Sequence, residues 1–467
     1  MVVLVSDLHL GDGSFGALSL GAGAFKRLAR EVRDHADRAK ARHVTLVLLG
    51  DIFEMMHSAR WTASDTSIDA GSSSAAKPGD AGAADLEPYD ETTAVQVFDA
   101  IVEEEQNRAI LELLRPDSLR SALTADGETD DAAGGRTVEV IYVPGNHDRL
   151  CNVYPALRRK VTEVLGLDRP DPEAPFDWSY SCPQVGVFAR HGHQFDGYNY
   201  PVRADLGPRE HEQASIGDVL TSHLNANLQR RLLQALNQQK TMGDAKVNGR
   251  TLRDALSLMY DIRPMASIIP WLMQALGALA GDRHTGRRVA RVVHDCVRAA
   301  IDDFHRLEYV KAWRRQHWWR WRAMKLGALL TGVRYTRALR AVDSERAIRV
   351  AEWVGRVVGA VFHRERYLAG ALADYRRSQS MTSGSCRHVV YGHTHFPKRG
   401  TISISNDYPA FYLNTGTFRP LFHRARDRSG FAGMKNMTYV IIYGPDEAKS
   451  DDGKQHAEMW TGNLEEE

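Results

Sequence analysis

Five short polar motifs in this 467-residue sequence, each behind a β-prone apolar run, combine carboxylate, amide and imidazole donors. The motifs are Asp7-Leu8-His9, Gly50-Asp51, Gly145-Asn146-His147-Asp148, His191-Gly192-His193 and Gly392-His393-Thr394-His395. Hard oxygen ligands and imidazoles of this kind suit divalent transition metals. Two such cations about 3.5–4 Å apart can clamp a phosphoryl group, polarise it and generate a hydroxide near neutral pH. The pair needs one carboxylate shared between the ions. A single histidine among the 19 of the chain carries little weight, and Gly-Asp or Pro-Gly-Asn usually marks a turn. Five such turns, in this order behind five strand-like runs, carry much more.

The elements that must position these residues are strands. Asp51 follows Val44-Thr45-Leu46-Val47-Leu48-Leu49, Asn146 follows the run 138–143, His191 follows 185–190, and His393 follows Val389-Val390-Tyr391. Asp7 and His9 are two apart, so on a strand both side chains leave the same face and can reach one ion. Ligands at the ends of several strands converge on one crevice of a rigid sheet.

The ordered set resembles the calcineurin-like metallophosphoesterases. The resemblance implies an α/β fold, a metallophosphoesterase-type β-sandwich flanked by helices. It also implies that a first metal takes Asp7, His9, Asp51 and His395, and a second takes Asp51, Asn146, His191 and His393, with Asp51 as the bridge. Between His191 and His193 the family pattern favours the first, with His193 beside the ligands. His147 is then no ligand but a residue that hydrogen-bonds the substrate phosphate or protonates the leaving oxygen. Glu54 falls where protein-phosphatase relatives carry an Asp that orients this histidine, a pairing that would raise the histidine pKa and fix its tautomer. Asn414-Thr415-Gly416-Thr417 is similar to the Asn-x-Gly turn that follows the last histidines in family members.

Within the superfamily, Ser6-Asp7-Leu8-His9-Leu10-Gly11, Gly50-Asp51-Ile52-Phe53-Glu54 and His191-Gly192-His193-Gln194-Phe195-Asp196 look most like the UDP-2,3-diacylglucosamine pyrophosphatase group. Those enzymes commonly carry Arg where this chain has His147, which points to ordinary phosphomonoester or phosphodiester chemistry. The first two motifs also resemble SbcD-like repair nucleases, which usually carry a DNA-binding part after the final histidine motif. Here only about 70 residues follow it. The expected activity is hydrolysis of a phosphomonoester, phosphodiester or pyrophosphate bond by a metal-activated hydroxide. Mn²⁺ is the first choice of cofactor, with Fe or Zn as alternatives. The other class is a non-catalytic scaffold that keeps the fold; such a protein would be expected to have lost ligands, and all seven are present.

Along the chain, residues 1–196 read as the first part of the core, 197–386 as a basic α-helical insertion, 387–445 as the second part, and 446–467 as a polar tail. The pattern predicts helices over about 24–41, 92–114 and 153–165, and strands at 388–392, 401–405, 410–414 and 438–443. Gly, Ala, Ser and Asp dominate 58–89, and a second acidic loop is expected at 117–136. In compact family members the histidine corresponding to His191 lies much closer to the last motif. The interval here shows Leu/Ala/Arg-rich helical stretches at about 211–240, 250–280, 287–331 and 336–377 and no alternating strand pattern.

Hydrophobic content of 43% and charged content of 25% are ordinary for a globular chain. Net charge is +1, yet 197–391 holds 32 basic and 17 acidic residues, +15, against −14 for the remainder. That asymmetry predicts two modules, the basic one attractive to phosphate-rich ligands including nucleic acid. Its densest feature is the run 313–322, four tryptophans interleaved with four arginines. The run suits a membrane interface or base stacking, but the two classes do not separate on a helical wheel, which favours packing against the core. The apolar stretch 265–281 is too short to span a bilayer. Four scattered cysteines imply neither a disulfide framework nor a thiolate metal site. A strand at Val2 leaves no room for a leader, so a cytoplasmic location is expected. The expected partner is a phosphorylated small-molecule or lipid-linked substrate, with peripheral membrane contact as an option.

Overall fold

The structure is a computed structural model that describes residues 1–15, 20–62, 87–124, 136–200, 211–238, 246–247, 250–251, 258–263, 271, 283–318, 367–381, 386–405, 408–425, 430–447 and 457–463. Within them the chain is mixed α/β, built on two mixed sheets.

The first sheet begins with three parallel strands, β1 (Val2–Val5), β2 (His43–Leu49) and β3 (Thr137–Val143). β1 and β2 are buried on both faces, as in parallel sheets generally, whereas the edge strand β3 exposes Thr137 and Glu139. Successive side chains alternate: Val3, Val5, Val44, Leu46 and Leu48 join the large core beneath the helices. Val2, Leu4, Val47 and Leu49 join a second cluster on the opposite face.

The second sheet runs through β4 (Tyr180–Cys182), β5 (Val187–Ala189), β9 (His388–Tyr391), β10 (Lys398–Ser405) and β11 (Tyr408–Asn414), in the spatial order β10-β11-β9-β5-β4. Val187, Ala189, Val390 and Leu413 belong to that same second cluster, so the two sheets share one core. Between β5 and β9 come the short pieces β6 (Lys246–Val247), β7 (Arg250–Thr251) and β8 (Ile262–Arg263). The first sheet is completed by β12 (Pro420–Arg424), β13 (Phe431–Ile442) and β14 (Ala457–Asn463). β13 runs antiparallel to β1, β12 and β14, and β8 pairs with β12 in parallel.

Four expectations change. After α1 (Ala22–Ala39), the helix predicted over 92–114 is two, α2 (Glu91–Glu103) and α3 (Glu105–Leu113), because Glu104 leaves helical geometry at ψ 124°. Both halves bury apolar residues, so the periodicity hides the break. Part of the predicted acidic loop is a helix, Pro116–Leu123, which starts on its proline and buries Leu119 and Leu123 at i, i+4 spacing. The segment set aside as a polar tail contains β14, whose Trp460 stacks on Tyr439. Finally, β8 adds a strand to the sheet from inside the supposedly all-helical interval.

Much of the expected helical insertion, including 252–257, 264–270, 272–282 and 319–366, lies outside the described residues, as do 63–86, 125–135 and the end of the Trp/Arg run. Of that run, Trp313 is buried in the main core and stacks on His317 at 4.8 Å, whereas Trp318 is exposed. Helices are present at Asn227–Gln238, Arg283–Arg306, Glu308–Gln316 and Tyr367–Met381. Among the described residues no helix is long and apolar enough to cross a membrane.

Candidate metal centre

The candidate ligands lie just beyond the strands rather than on them. β1 stops at Val5, and Asp7 and His9 follow with φ of 55° and 48°. The same-face argument for a strand therefore does not apply; the chain turns, and the turn aims both side chains. Asp51 (φ 54°), His393 (φ 70°) and His395 (φ 60°) share this left-handed backbone. Five of the six positive-φ residues other than glycine among the described residues are thus candidate ligands, the sixth being the helix-capping Lys40. Each such conformation costs on the order of 1–3 kcal/mol and persists only where the surroundings over-determine it, as at functional sites.

What over-determines it is visible. The pairing of β1 with β2 continues past both strands through Asp7 N–H to Gly50 O (3.0 Å), His9 N–H to Asp51 O (2.9 Å) and Leu10 N–H to Ile52 O (2.9 Å). Asp148 ties the third loop to the second by accepting from Ile52 N–H at 2.8 Å and from Gly145 N–H. A β-carbon at Gly145 would collide with the Asp51 carboxylate, and one at Gly50, itself at φ 83°, with the His191 ring.

These loops bring six of the seven expected ligands into two adjoining groups, Asp7 with His9 and His395, and Asp51 with His191 and His393. In the first, His9 Nε2 lies 3.0 Å from His395 Nε2, and His395 Nε2 lies 3.3 Å from Asp7 Oδ1. Asp51 Oδ2 is 3.0 Å from His191 Nε2 and 3.7 Å from His9 Nε2, between the groups. The seventh, Asn146, is buried one residue before His147, whose N–H donates to Asp51 Oδ1 at 2.8 Å.

The donor set fits metal ions. Ligand atoms held about 2.0–2.2 Å from one ion at 90–110° sit about 3–3.5 Å apart, the spacing seen here. Asn146 Oδ1 is buried and makes no hydrogen bond, a costly arrangement unless something else satisfies it; Asp7 Oδ1 and His191 Nε2, also buried, face only other candidate ligands, His395 Nε2 and Asp51 Oδ2. Three of the four imidazoles turn their other nitrogen to an oxygen: His9 Nδ1 to Glu54 Oε2 (2.7 Å), His191 Nδ1 to Leu49 O (2.9 Å) and His393 Nε2 to Asp196 Oδ2 (3.2 Å). Such contacts fix the tautomer and orient metal-binding histidines.

Glu54 also holds His147, through Oε1 to Nδ1 at 2.7 Å, so one buried carboxylate serves two rings. Burial opposes the charged form of His147, but Glu54 and Asp51 outweigh it and lift its pKa from 6.5 to about 9. Burial would likewise raise the Glu54 carboxyl, yet His147 and His9 hold it well below the usual range. His193 is buried but faces Trp178, Tyr200 and His211, and burial pushes its pKa down. His191 is the one turned to Asp51.

Three contributors escaped the sequence reading. Asp196 backs His393; it ends the quoted His191 motif, which was its only signal. Tyr260 places its hydroxyl 3.3 and 3.4 Å from the His147 nitrogens. Arg419 pairs with Asp261 at 2.7 Å while donating to His9 O at 3.2 Å. No local pattern marks either residue. No protein-family model matches the chain, and no curated protein matches its sequence.

Proposed function

We propose that this chain is a dinuclear-metal phosphoesterase of the calcineurin-like kind, hydrolysing a phosphomonoester, phosphodiester or pyrophosphate bond. In this reading 1–196 and 387–445 form the metallophosphoesterase-type sandwich, and 197–386 is an insertion that sets substrate choice. The observation that carries it is Asp51 Oδ2, set between His9 Nε2 and His191 Nε2, with the buried Asn146 Oδ1 of the neighbouring loop making no hydrogen bond.

Divalent cations bound there, Mn²⁺ first with Fe or Zn as alternatives, would polarise the phosphoryl group and acidify a water. The chain's own part is positioning and proton delivery. Asp7, His9, Asp51, Asn146, His191, His393 and His395 form the cradle. His147, with Nδ1 held by Glu54, is more open than the four imidazoles of the cradle, at 13% side-chain exposure. As general acid it gives the Nε2 proton to the oxygen that leaves phosphorus.

A small or lipid-linked phosphoester in the cytoplasm is the preferred substrate. The test is hydrolysis of p-nitrophenyl phosphate and bis-p-nitrophenyl phosphate by purified chain with Mn²⁺, alongside metal analysis. Turnover that stops on chelation and returns with metal is expected; neither ester cleaved would favour a scaffold. The charge of +15 over 197–391 favours a second reading, an SbcD-like nuclease, which salt-sensitive DNA cleavage would select.

A further inference from the structure

We propose that Asn199 is a positioning residue for the group Asp51, His191 and His393, and that through it the turn Ile216–Val219 bears on that group's hold on a cation. The inference rests on the metal-centre reading above and adds a route into the centre from the interval 197–386.

Asp196 meets His393 Nε2 with Oδ2 at 3.2 Å, so its place decides how that ring is aimed. Asp196 is itself held. Asn199 Nδ2 donates to the same Oδ2 at 3.0 Å and lies 3.5 Å from His393 Nε2, so one amide touches both members of the pair. The Tyr198 N–H donates to the other carboxylate oxygen, Oδ1, at 2.8 Å. An amide can donate to a carboxylate only from its nitrogen, which leaves Asn199 Oδ1 turned toward Gly217.

Gly217 belongs to the turn Ile216–Val219, whose start is fixed by Ser215 and Asp218 capping each other, and whose four residues are buried. Its N–H donates to Tyr198 O at 2.8 Å. A β-carbon at 217 would collide with Asn199 Oδ1 and stand 2.9 Å from Tyr198 O, so the close approach of the two segments requires glycine. Ile216 and Val219 pack into the main core, and Asp218 pairs with Arg149 Nε at 3.3 Å. Arg149 is two residues after His147. One turn of the interval is therefore anchored on the third motif loop and seated on the residues that back the fifth.

With Nε2 turned to Asp196, the His393 ring offers Nδ1 to a cation. The carboxylate fixes that tautomer and makes Nδ1 the more basic donor. Asn199 shares Oδ2 with the ring and so holds the carboxylate where it serves His393. Coupling of this kind is reciprocal: whatever shifts the turn changes cation affinity, and a bound cation steadies the turn.

The experiment titrates Mn²⁺ into the metal-stripped full chain by calorimetry, a readout independent of turnover. Asp196→Ala should weaken one of the two ions about 10- to 100-fold and Asn199→Ala the same ion about tenfold, as loss of support behind a ligating histidine does. Gly217→Ala drives a methyl into the Asn199 amide and should weaken that ion about threefold or more. With Asp196→Ala already present, neither Asn199→Ala nor Gly217→Ala should weaken it further by more than about twofold, because residues acting through one partner do not add. Unchanged affinity in Asn199→Ala, or the same tenfold loss when Asp196 is already alanine, would overturn the positioning role. Wild-type affinity in Gly217→Ala would overturn the link to the turn. Mn²⁺ should also slow amide exchange over 216–219 more in the wild type than in Asn199→Ala, which tests that link even if Gly217→Ala fails to fold; equal slowing would overturn it. A wild type that binds no Mn²⁺ would overturn the metal-centre reading itself and this inference with it.

Discussion

Glu54 accepts from Nδ1 of His147 at 2.7 Å through one carboxylate oxygen, which leaves the other to hold Nδ1 of His9 at the same distance. The proposed acid and a proposed metal ligand are therefore oriented by one buried charge.

Glu54→Gln keeps the volume but can accept with only one oxygen, so one imidazole must lose its acceptor. Loss of such a contact behind a metal-binding histidine costs about 10- to 100-fold in metal affinity or activity. We expect Glu54→Gln to lower both kcat and Mn²⁺ affinity by roughly that factor. His147→Ala, by contrast, should slow turnover by about 10²-fold or more while retaining the metals. Steady-state kinetics across a Mn²⁺ titration separates the two; equal metal affinity in all three proteins would refute the shared role of Glu54.

Asp51 is the only candidate ligand whose oxygen faces imidazoles of both groups. Asp51→Ala should therefore lose both ions and nearly all turnover, whereas Asp7→Ala, confined to the first group, should leave one ion bound. Metal analysis after gel filtration reads this directly, and two ions retained by the Asp51 variant would contradict a bridging place.

The candidate ligand set is legible because each member follows a short, largely apolar strand, and a strand's end is easy to see when Gly-Asp or Gly-His interrupts it. The geometry of Asp7 and His9 was not. Asp7-Leu8-His9 alternates as a strand does, and nothing local shows that the ladder with β13 stops at Leu4 or that the backbone turns left-handed beyond it. Glu104 was hidden for a related reason, since α2 and α3 keep their apolar faces in phase across the break. Tyr260 had no signal at all. It is placed by pairings with Arg419 and with β12, each about 160 residues away in the chain, and sequence periodicity carries no record of such contacts.

The Asp261–Arg419 pair is buried on both sides, at 1% side-chain exposure each. Removing one partner leaves a charge without compensation, which typically costs about 3–5 kcal/mol. Arg419→Met should therefore lower unfolding stability by about that much in urea titration, and Asp261→Asn by somewhat less because an amide oxygen still accepts. Adding Asp261→Leu to Arg419→Met should recover part of the loss. A loss that simply adds would mean that the two charges do not compensate each other.

Acid sensitivity follows from histidines buried as neutral rings away from the candidate metal loops. His223 is buried beside Ser222, whose hydroxyl meets its Nδ1 at 2.7 Å, and burial alone pushes its pKa from 6.5 down to about 4. Above pH 6.5 the ring is neutral in both folded and unfolded chain, and the group contributes nothing to pH dependence. Below 6.5 the unfolded chain takes up a proton that the folded chain refuses, so stability falls until the folded ring also titrates near 4. Between pH 7 and pH 5 that amounts to about 2 kcal/mol for this one group, since each pKa unit corresponds to about 1.4 kcal/mol. His223→Gln keeps a side-chain donor for Ser222 but cannot titrate, so its loss of stability over that interval should be smaller than wild type by about that amount. Urea unfolding of both proteins at the two pH values measures the difference, in which the titration of every other group cancels. An identical decline in wild type and variant would show that His223 takes up its proton in the folded chain as readily as in the unfolded one.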